Sequence, residues 1–442
     1  MMKKIFFILS IVGLAIAPAQ KIAAQKTLTV EEAIANALKN NYDIQLLKND
    51  SSSFALDNSY AKAAFLPRLN TTTGILFNNN NQKQKLSDGS VKQQSGIRSD
   101  NITASVALNW TVFDGLKMFA AKDKLAEFVK LGELNIKNQV VNTIAAIITN
   151  YYNIVRQKQQ LKAIEEQMGL NEERLKQADK KLSVGLGAKP DVLLSKTDLN
   201  AQKAAMLQQQ TLIEQLKEQL NLLMAAPINT TYEVADSIPI NNDLIITDIL
   251  SAAEAGNPAL QVAKQNITIA GFTLAERKAE RFPVVSINSA YNFGKTDNRT
   301  VLNTFTPLYN RNLGFNYGIS AAIPIFNNYN TKRQIQQAQL DIDYNKIQYQ
   351  KIKAANDIAI SNAFKTYELQ KKTLLLEEEN ILLAKENVTI AMERFRLGIS
   401  TTVELRETQK TLEDSYNRLI AARYNTKVAE TELLRLKGDL VK

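Results

Sequence analysis

Residues 102–115 read ITASVALNWTVFDG. In an extended chain Ile102, Ala104, Val106, Leu108, Trp110 and Val112 share one face, and Thr103, Ser105, Ala107, Asn109 and Thr111 share the other. About ten residues that are apolar on one side and small or polar on the other, with an aromatic near the end, form the pattern of a transmembrane β-strand. The residues that follow, 116–182, contain no Pro and little Gly. As one continuous helix that span is about 100 Å long, too long for a globular core.

The same sentence is written again downstream. Residues 313–328, LGFNYGISAAIPIFNN, alternate Leu313, Phe315, Tyr317, Ile319, Ala321 and Ile323 against Gly314, Asn316, Gly318, Ser320 and Ala322. They too lead into a Gly- and Pro-free stretch, 328–396. Other features recur in the same order at an offset of 213–216 residues: Asn41-Tyr42 and Asn257-Pro258, Phe65-Leu66-Pro67 and Arg281-Phe282-Pro283, Val184-Gly185 and Leu397-Gly398. Two copies are too few for a solenoid. They predict a duplicated half: a signal segment over 1–24, a first repeat over 25–225, a connecting equatorial segment over 226–245 and a second repeat over 246–442. Each repeat reads helix, strand, polar loop, strand, long helix, tip turn, return helix. The partner strands fall at 69–78 and 284–293, and the polar loops at 78–100 and 294–312. Pro67 and Pro283 end a helix ahead of a strand, and Asp114 and Asn327 are placed to cap the long helices.

Composition narrows the chemistry. The 442 residues include 54 Lys and Arg, 44 Asp and Glu, and neither His nor Cys. Disulfides, thiolate metal sites, Cys nucleophiles and His-based triads are excluded. The net charge of +10 is modest and spread along the chain, so no nucleic-acid partner is expected. Residues 1–24 carry Lys3 and Lys4, an apolar run from Ile5 to Ala17, and small residues at Ala19 and Ala24 where cleavage fits. That is the layout of a secretory signal peptide. No later stretch offers the roughly 20 apolar residues of a membrane helix, so membrane insertion falls to the strands. Four strands cannot close a barrel, and open edges are not tolerated in lipid, so one barrel has to be shared among subunits. A soluble two-sheet sandwich of four strands is the weaker alternative.

The helical stretches carry heptads. Tyr367, Leu374, Ile381, Val388 and Phe395 correspond to Ile154, Leu161, Met168, Leu175 and Leu182. The return helices, 189–224 and 401–437, place Val192, Leu199, Met206, Ile213 and Leu220 against Leu405, Leu412, Leu419, Thr426 and Leu433. Sustained heptads imply a left-handed coiled coil. A second seam, Leu369, Leu376, Leu383, Ile390 and Leu397, lies about 200° around the helix from the first. Two seams on nearly opposite sides suit a helix in the wall of a cylinder; Leu375 and Leu382 fill the arc between them, as in a buried bundle helix.

The leading LTVEEAIANALKNN helix (28–41), the FLP turn (65–67), WTVFDG (110–115) with its PIFNN echo (324–328), and the tip turns VGLGAKPDVL (184–193) and LGISTTVEL (397–405) together resemble the TolC-type outer-membrane efflux protein family. The resemblance spans about residues 28–438. It implies a mainly α fold with a β-barrel contribution: a long coiled-coil α-barrel plus four transmembrane β-strands per chain, with a 12-stranded barrel shared by a homotrimer. It implies a passive exit duct in the outer membrane with a periplasmic extension, bathed in outer-membrane lipid and joined to a periplasmic adaptor protein and, through it, an inner-membrane pump. No enzyme activity, cofactor or metal is implied.

By the same resemblance, Val184, Gly185, Leu186 and Gly187, with Leu397, Gly398 and Ile399, are tip turns where an adaptor docks. Glu404 and Glu407, one helical turn apart, match the acidic pair at the tunnel's narrow end, and Asp191 occupies the equivalent place in the first half. Carboxylates in the first turn of a helix also complement its dipole, whatever they face. Two positions depart from the family: the Tyr and Arg that help lock its gate are Phe395 and Ser400 here, and Arg394, Arg396 or Arg406 is left to substitute. The competing function is a non-channel periplasmic coiled-coil rod, which explains the heptads but not the paired strands. A carboxylate-based hydrolase using Glu404 and Glu407 lacks any sign of a substrate cleft.

Overall fold

A computed structural model describes residues 27–240 and 244–440. The expected signal segment lies outside the described residues. The chain runs α1 (Val30–Asn40), α2 (Tyr42–Ser59), β1 (Arg68–Lys85), β2 (Val91–Phe113), α3 (Lys117–Ser183), α4 (Lys189–Met224), α5 (Ile246–Gly256), α6 (Pro258–Ala279), β3 (Val284–Asn298), β4 (Tyr309–Ala322), α7 (Asn330–Arg396) and α8 (Thr402–Lys437). The long helices α3 and α7 are both 67 residues, and the return helices α4 and α8 both 36. No described helix is long and apolar enough to cross a membrane.

The strands form one antiparallel sheet in the order β1-β2-β3-β4, which leaves β1 and β4 as free edges. Alternation sorts its faces. Thr71, Val106, Tyr291 and Phe315 stand side by side on one face, next to Leu69, Leu108, Ser289 and Tyr317. On the other face the adjacent rows are Asn70, Ala107, Ala290 and Asn316, then Thr72, Ser105, Asn292 and Gly314. Small polar groups on this second face pair with one another, as Ser105 Oγ does with Asn292 Oδ1 at 2.8 Å and Asn288 Nδ2 with Ser320 Oγ at 2.8 Å. From the row of Asn70 to the row of Leu76, Asn101, Thr296 and Asn310, this face carries no formal charge.

The expected loops are shorter than 78–100 and 294–312. Pairing continues to Lys85 and resumes at Val91, around a turn in which Asp88 accepts the backbone N–H of Ser90. β3 likewise continues to Asn298, and β4 begins at Tyr309. The apolar pattern stops where the lipid-facing band stops, but ladder hydrogen bonds are made by the backbone and carry polar residues beyond it.

Where strands become helices, the two halves use the same corner with different side chains. Asp114 caps α3 by accepting the Met118 N–H, with oxygens at 3.0 and 3.2 Å. Asn327 does not cap α7 in this way: its amide donates to Thr331 Oγ1 at 2.5 Å. Trp110 Nε1 donates back to the Phe65 carbonyl at 2.8 Å, fixing the end of β2 against the turn before β1.

The cores lie along the helices. Tyr367, Ile381, Val388 and Phe395 of the first α7 seam are buried, facing Leu405, Leu412, Leu419 and Leu433 of α8. The matching α3 positions differ: Leu161, Met168, Leu175 and Leu182 are only half-buried, while Ile164, Asn171, Arg174 and Ala178 are buried. α3 packs against α4 and α8 together, so its burial rotates away from a single heptad seam. The second seam is bare: Leu369, Leu376, Leu383 and Ile390 are all more than half exposed. Near the middle, residues 27–28 and 232–238 wrap α3 and α4, and Tyr151 donates to the Leu28 carbonyl at 2.8 Å while accepting the Ala235 N–H at 3.0 Å.

Candidate functional site

Both helical hairpins turn in the same way. Gly185 and Gly398 have φ of 77° and 78°, and a Cβ at either would meet no atom within 4 Å, so the backbone angle rather than crowding calls for glycine. The Leu186 N–H bonds the Lys181 carbonyl at 2.9 Å, and the Ile399 N–H bonds that of Arg394 at 2.9 Å, each reaching back five residues to close the helix end. The turns thrust apolar side chains outward: Val184, Leu186, Leu397 and Ile399 are exposed, Leu186 to 83%. Gly187 is the exception, tucked against the backbone of Lys181 and Leu182.

The two hairpins are tied together just above the tips. Lys181 Nζ, at the end of α3, donates to the Phe395 carbonyl at 2.7 Å and lies 3.9 Å from the centre of the Phe395 ring. Phe395 is buried with Ala391, Met392 and Leu405. It lacks a hydroxyl, yet its carbonyl and ring face together hold a cation. Ser400 is buried and its Oγ has no hydrogen-bond partner among the described residues. Thr401 caps α8 by accepting the Glu404 N–H at 3.2 Å.

Of the acidic residues singled out, Glu404 is paired with Arg394 Nη1 at 3.1 Å within its own hairpin. Glu407, one turn on, is exposed and, like Asp191 in the first turn of α4, has no ion-pair partner among the described residues. Arg396 goes elsewhere, to Glu393 at 2.7 Å and Glu173 at 3.4 Å. The hydrogen bond from Gln177, and then the charge of Arg396, hold the Glu173 carboxyl below the usual carboxylate range.

Glu407 borders a polar cleft between α3, α4 and α8 whose centre was not singled out from the sequence. Arg174, 1% exposed, meets Asp198 Oδ2 at 2.5 Å and Gln409 Oε1 at 2.9 Å. The same Oδ2 is 3.1 Å from Arg406 Nε. One carboxylate on α4 thus clamps guanidinium groups from α3 and α8. Burial pushes the Arg174 guanidinium below its ordinary pKa, against the pull of Asp198, and the Arg406 charge adds to the lowering. The sequence signal was the polar run Gln167, Asn171 and Arg174 at spacings of four and three, which puts them on one helix face.

Comparison with known proteins follows the same lines. The sequence profile of the outer membrane efflux protein family matches residues 33–226 and 249–439. Outer membrane efflux protein BepC of Brucella suis biovar 1 is 21% identical over 345 residues, 76% of this chain and 72% of that protein. The Campylobacter jejuni CmeC outer membrane channel superposes with a TM-score of 0.77 at 15% identity, over 93% of this chain and 85% of its own. The outer membrane protein VceC of Vibrio cholerae superposes with a TM-score of 0.74 at 14% identity, over 92% of this chain and 96% of its own.

Proposed function

The chain belongs to the outer membrane efflux protein family, and from that premise we propose that three copies close one 12-stranded barrel through the outer membrane and continue it as a periplasmic helical tunnel. The observation that carries this reading is the sheet: one face is apolar, and both edges, β1 and β4, are unpaired. Such edges are not tolerated in lipid, and edge-to-edge closure by further copies satisfies them. The halves 25–225 and 246–442, joined by 226–245, each supply two strands and one helical hairpin. The bare α7 seam then lies between neighbouring helices of the tunnel wall.

The duct is passive and forms the exit of a tripartite efflux or secretion assembly. The exposed Val184, Leu186, Leu397 and Ile399 are the surface to which a periplasmic adaptor docks, and the adaptor carries the link to an inner-membrane pump. Glu404, Glu407 and Asp191 line the narrow end, where rings of carboxylates favour cations. Arg394 already neutralises Glu404, so Glu407 carries most of that preference. With Phe395 and Ser400 at the gate, the Lys181–Phe395 contact and the Arg174–Asp198–Arg406 clamp take over the holding of the closed end.

Purified, detergent-extracted protein in a planar bilayer tests the reading. Discrete, cation-selective openings are expected. A water-soluble monomer that never inserts would overturn it.

A further inference from the structure

We propose that the outward face of β3 and β4, at Lys295 and Arg311, with Arg98 above them on β2, is a binding site for a phosphorylated glycolipid of the outer leaflet. The inference rests on the closed barrel proposed above.

The position follows from the register. Going up the lipid-facing side, away from the helices, the rows run Tyr291 and Phe315, then Phe293 and Leu313, then Lys295 and Arg311. Both chain reversals at this end, 86–90 and 299–308, lie opposite the helices, so in an outer membrane protein with periplasmic helices this end is the external one. The two cations therefore stand where the apolar band gives way to headgroups. Each also sits over a ring at that boundary: Arg311 is 5.7 Å from the centre of Phe293, and Lys295 is 5.7 Å from that of Tyr309.

The charges do not balance within the sheet. Lys295 and Arg311 are directly opposite on neighbouring strands, an unfavourable arrangement for like charges. Lys295 reaches Asp297 at 2.8 Å, and Arg299 reaches Asp100 at 2.5 Å, which uses both carboxylates of the next row. Among the described residues, Arg311 and Arg98 have no carboxylate partner. A neighbouring copy does not supply one. The strand that closes against β4 is β1 of the next chain, and residues 68–85 contain no Asp or Glu, so no register of that pairing brings an acid to Arg311. Arg311 is therefore open to an anion from outside the protein.

The spacing favours one occupant. By strand geometry Arg98 lies about 16 Å from Arg311, two strands across and four residues up. A glycerophospholipid with one phosphate serves one end of that span. A disaccharide head bearing a phosphate at each end serves both, while its acyl chains cover Tyr291, Phe315 and Tyr317. Guanidinium groups hold phosphate bidentately, and cations at this depth keep their charge in the headgroup layer.

The test uses full-length trimers, washed free of lipid in detergent and checked by cross-linking. Wild type, R311Q, R311K, K295Q/R311Q and K351Q/K353Q, which makes the same charge change as the double variant far out on α7, are titrated with bisphosphorylated lipid A, its dephosphorylated form and phosphatidylglycerol. Trimer dissociation temperature and native mass spectrometry are the readouts. Wild type, R311K and K351Q/K353Q are expected to bind bisphosphorylated lipid A. K295Q/R311Q is expected to lose roughly 10- to 30-fold in affinity, and removing the phosphates to have a similar effect. Equal binding by wild type and K295Q/R311Q, or equal binding of phosphatidylglycerol, overturns the site while leaving the trimer standing. Monomers that never cross-link overturn the closed barrel and the site with it.

Discussion

Asn41 and Asn257 perform the same two tasks at matching places in the two halves. Each side-chain oxygen caps a helix, Asn41 accepting from Asp43 and Ile44 and Asn257 from Ala259 and Leu260. Each amide nitrogen then donates across to the end of a return helix, at the Leu223 carbonyl in one case and the Leu436 carbonyl in the other, both at 2.9 Å. Asn257 also donates to Asn356 Oδ1 at 2.9 Å. Both asparagines are buried. N257A removes a cap and strands two buried acceptors, a loss of about 2 to 4 kcal/mol. N41A strands one acceptor and is expected to be milder. Denaturant midpoints of the two variants check the order; equal losses would contradict it.

The clamp at Arg174 predicts an asymmetry. D198N leaves the buried Arg174 without its carboxylate and is expected to cost about 3 to 5 kcal/mol. R174M leaves Asp198 still paired with the more exposed Arg406 and costs less. The double variant R174M/D198N is expected to recover most of the D198N loss. A double-mutant cycle on thermal or denaturant stability measures the coupling, and additive effects would show that the pair is not coupled.

At the narrow end, E407Q is expected to lower cation selectivity more than E404Q, because Arg394 already offsets Glu404. R394Q is expected to raise selectivity by releasing Glu404. Reversal potentials in a planar bilayer under a salt gradient give all three values. Unchanged potentials for E407Q would remove that residue from the pore lining.

The second α7 seam separates folding from assembly. Leu376 and Leu383 are 62% and 58% exposed in one chain. L376K/L383K is expected to leave helix content intact and to abolish the trimer, because in the assembly it buries two charges without partners. Circular dichroism and cross-linking read the two effects separately. Stable trimers from this variant would place the seam outside the subunit interface.

Much of this architecture is written plainly in the sequence. The period-2 alternation at 102–112 and 313–323 marks β2 and β4, and the echo of Asn41-Tyr42 in Asn257-Pro258 marks two buried staples. The glycines at 185 and 398 mark the turns because few other residues tolerate that backbone angle. The polar hairpin over 78–100 is not legible as strand, since a ladder depends on backbone pairing and Asn or Gln side chains give no sign of it. The Arg174 clamp leaves only the polar run Gln167, Asn171 and Arg174 as a trace, and its partners on α4 and α8 are not legible. A charged residue on a heptad helix ordinarily reads as solvated, and only the meeting of α3, α4 and α8 takes this one out of water. The α3 seam is misleading for a related reason: a helix with two partners buries a broader arc than one heptad stripe describes.

The uncharged inner rows of the sheet have an effect on any molecule passing through. From Asn70 up to Thr296 the wall offers hydroxyls, amides, bare backbone and the apolar Ala107, Ala290 and Leu76, and no formal charge. Such a surface exchanges hydrogen bonds with water and solute alike and holds neither sign of ion, so once past the row of Arg68, Asn109, Asn288 and Gly318 a departing molecule meets no formal charge up to the row of Thr296. Discrimination by charge is thereby expected from Arg68 at the base of the sheet and from the helical end, and not from the rows between Asn70 and Thr296. Grafting another family member's inner-face residues over the rows from Asn70 to Thr296 should leave ion preference unchanged, whereas exchanging the hairpin tips should transfer it.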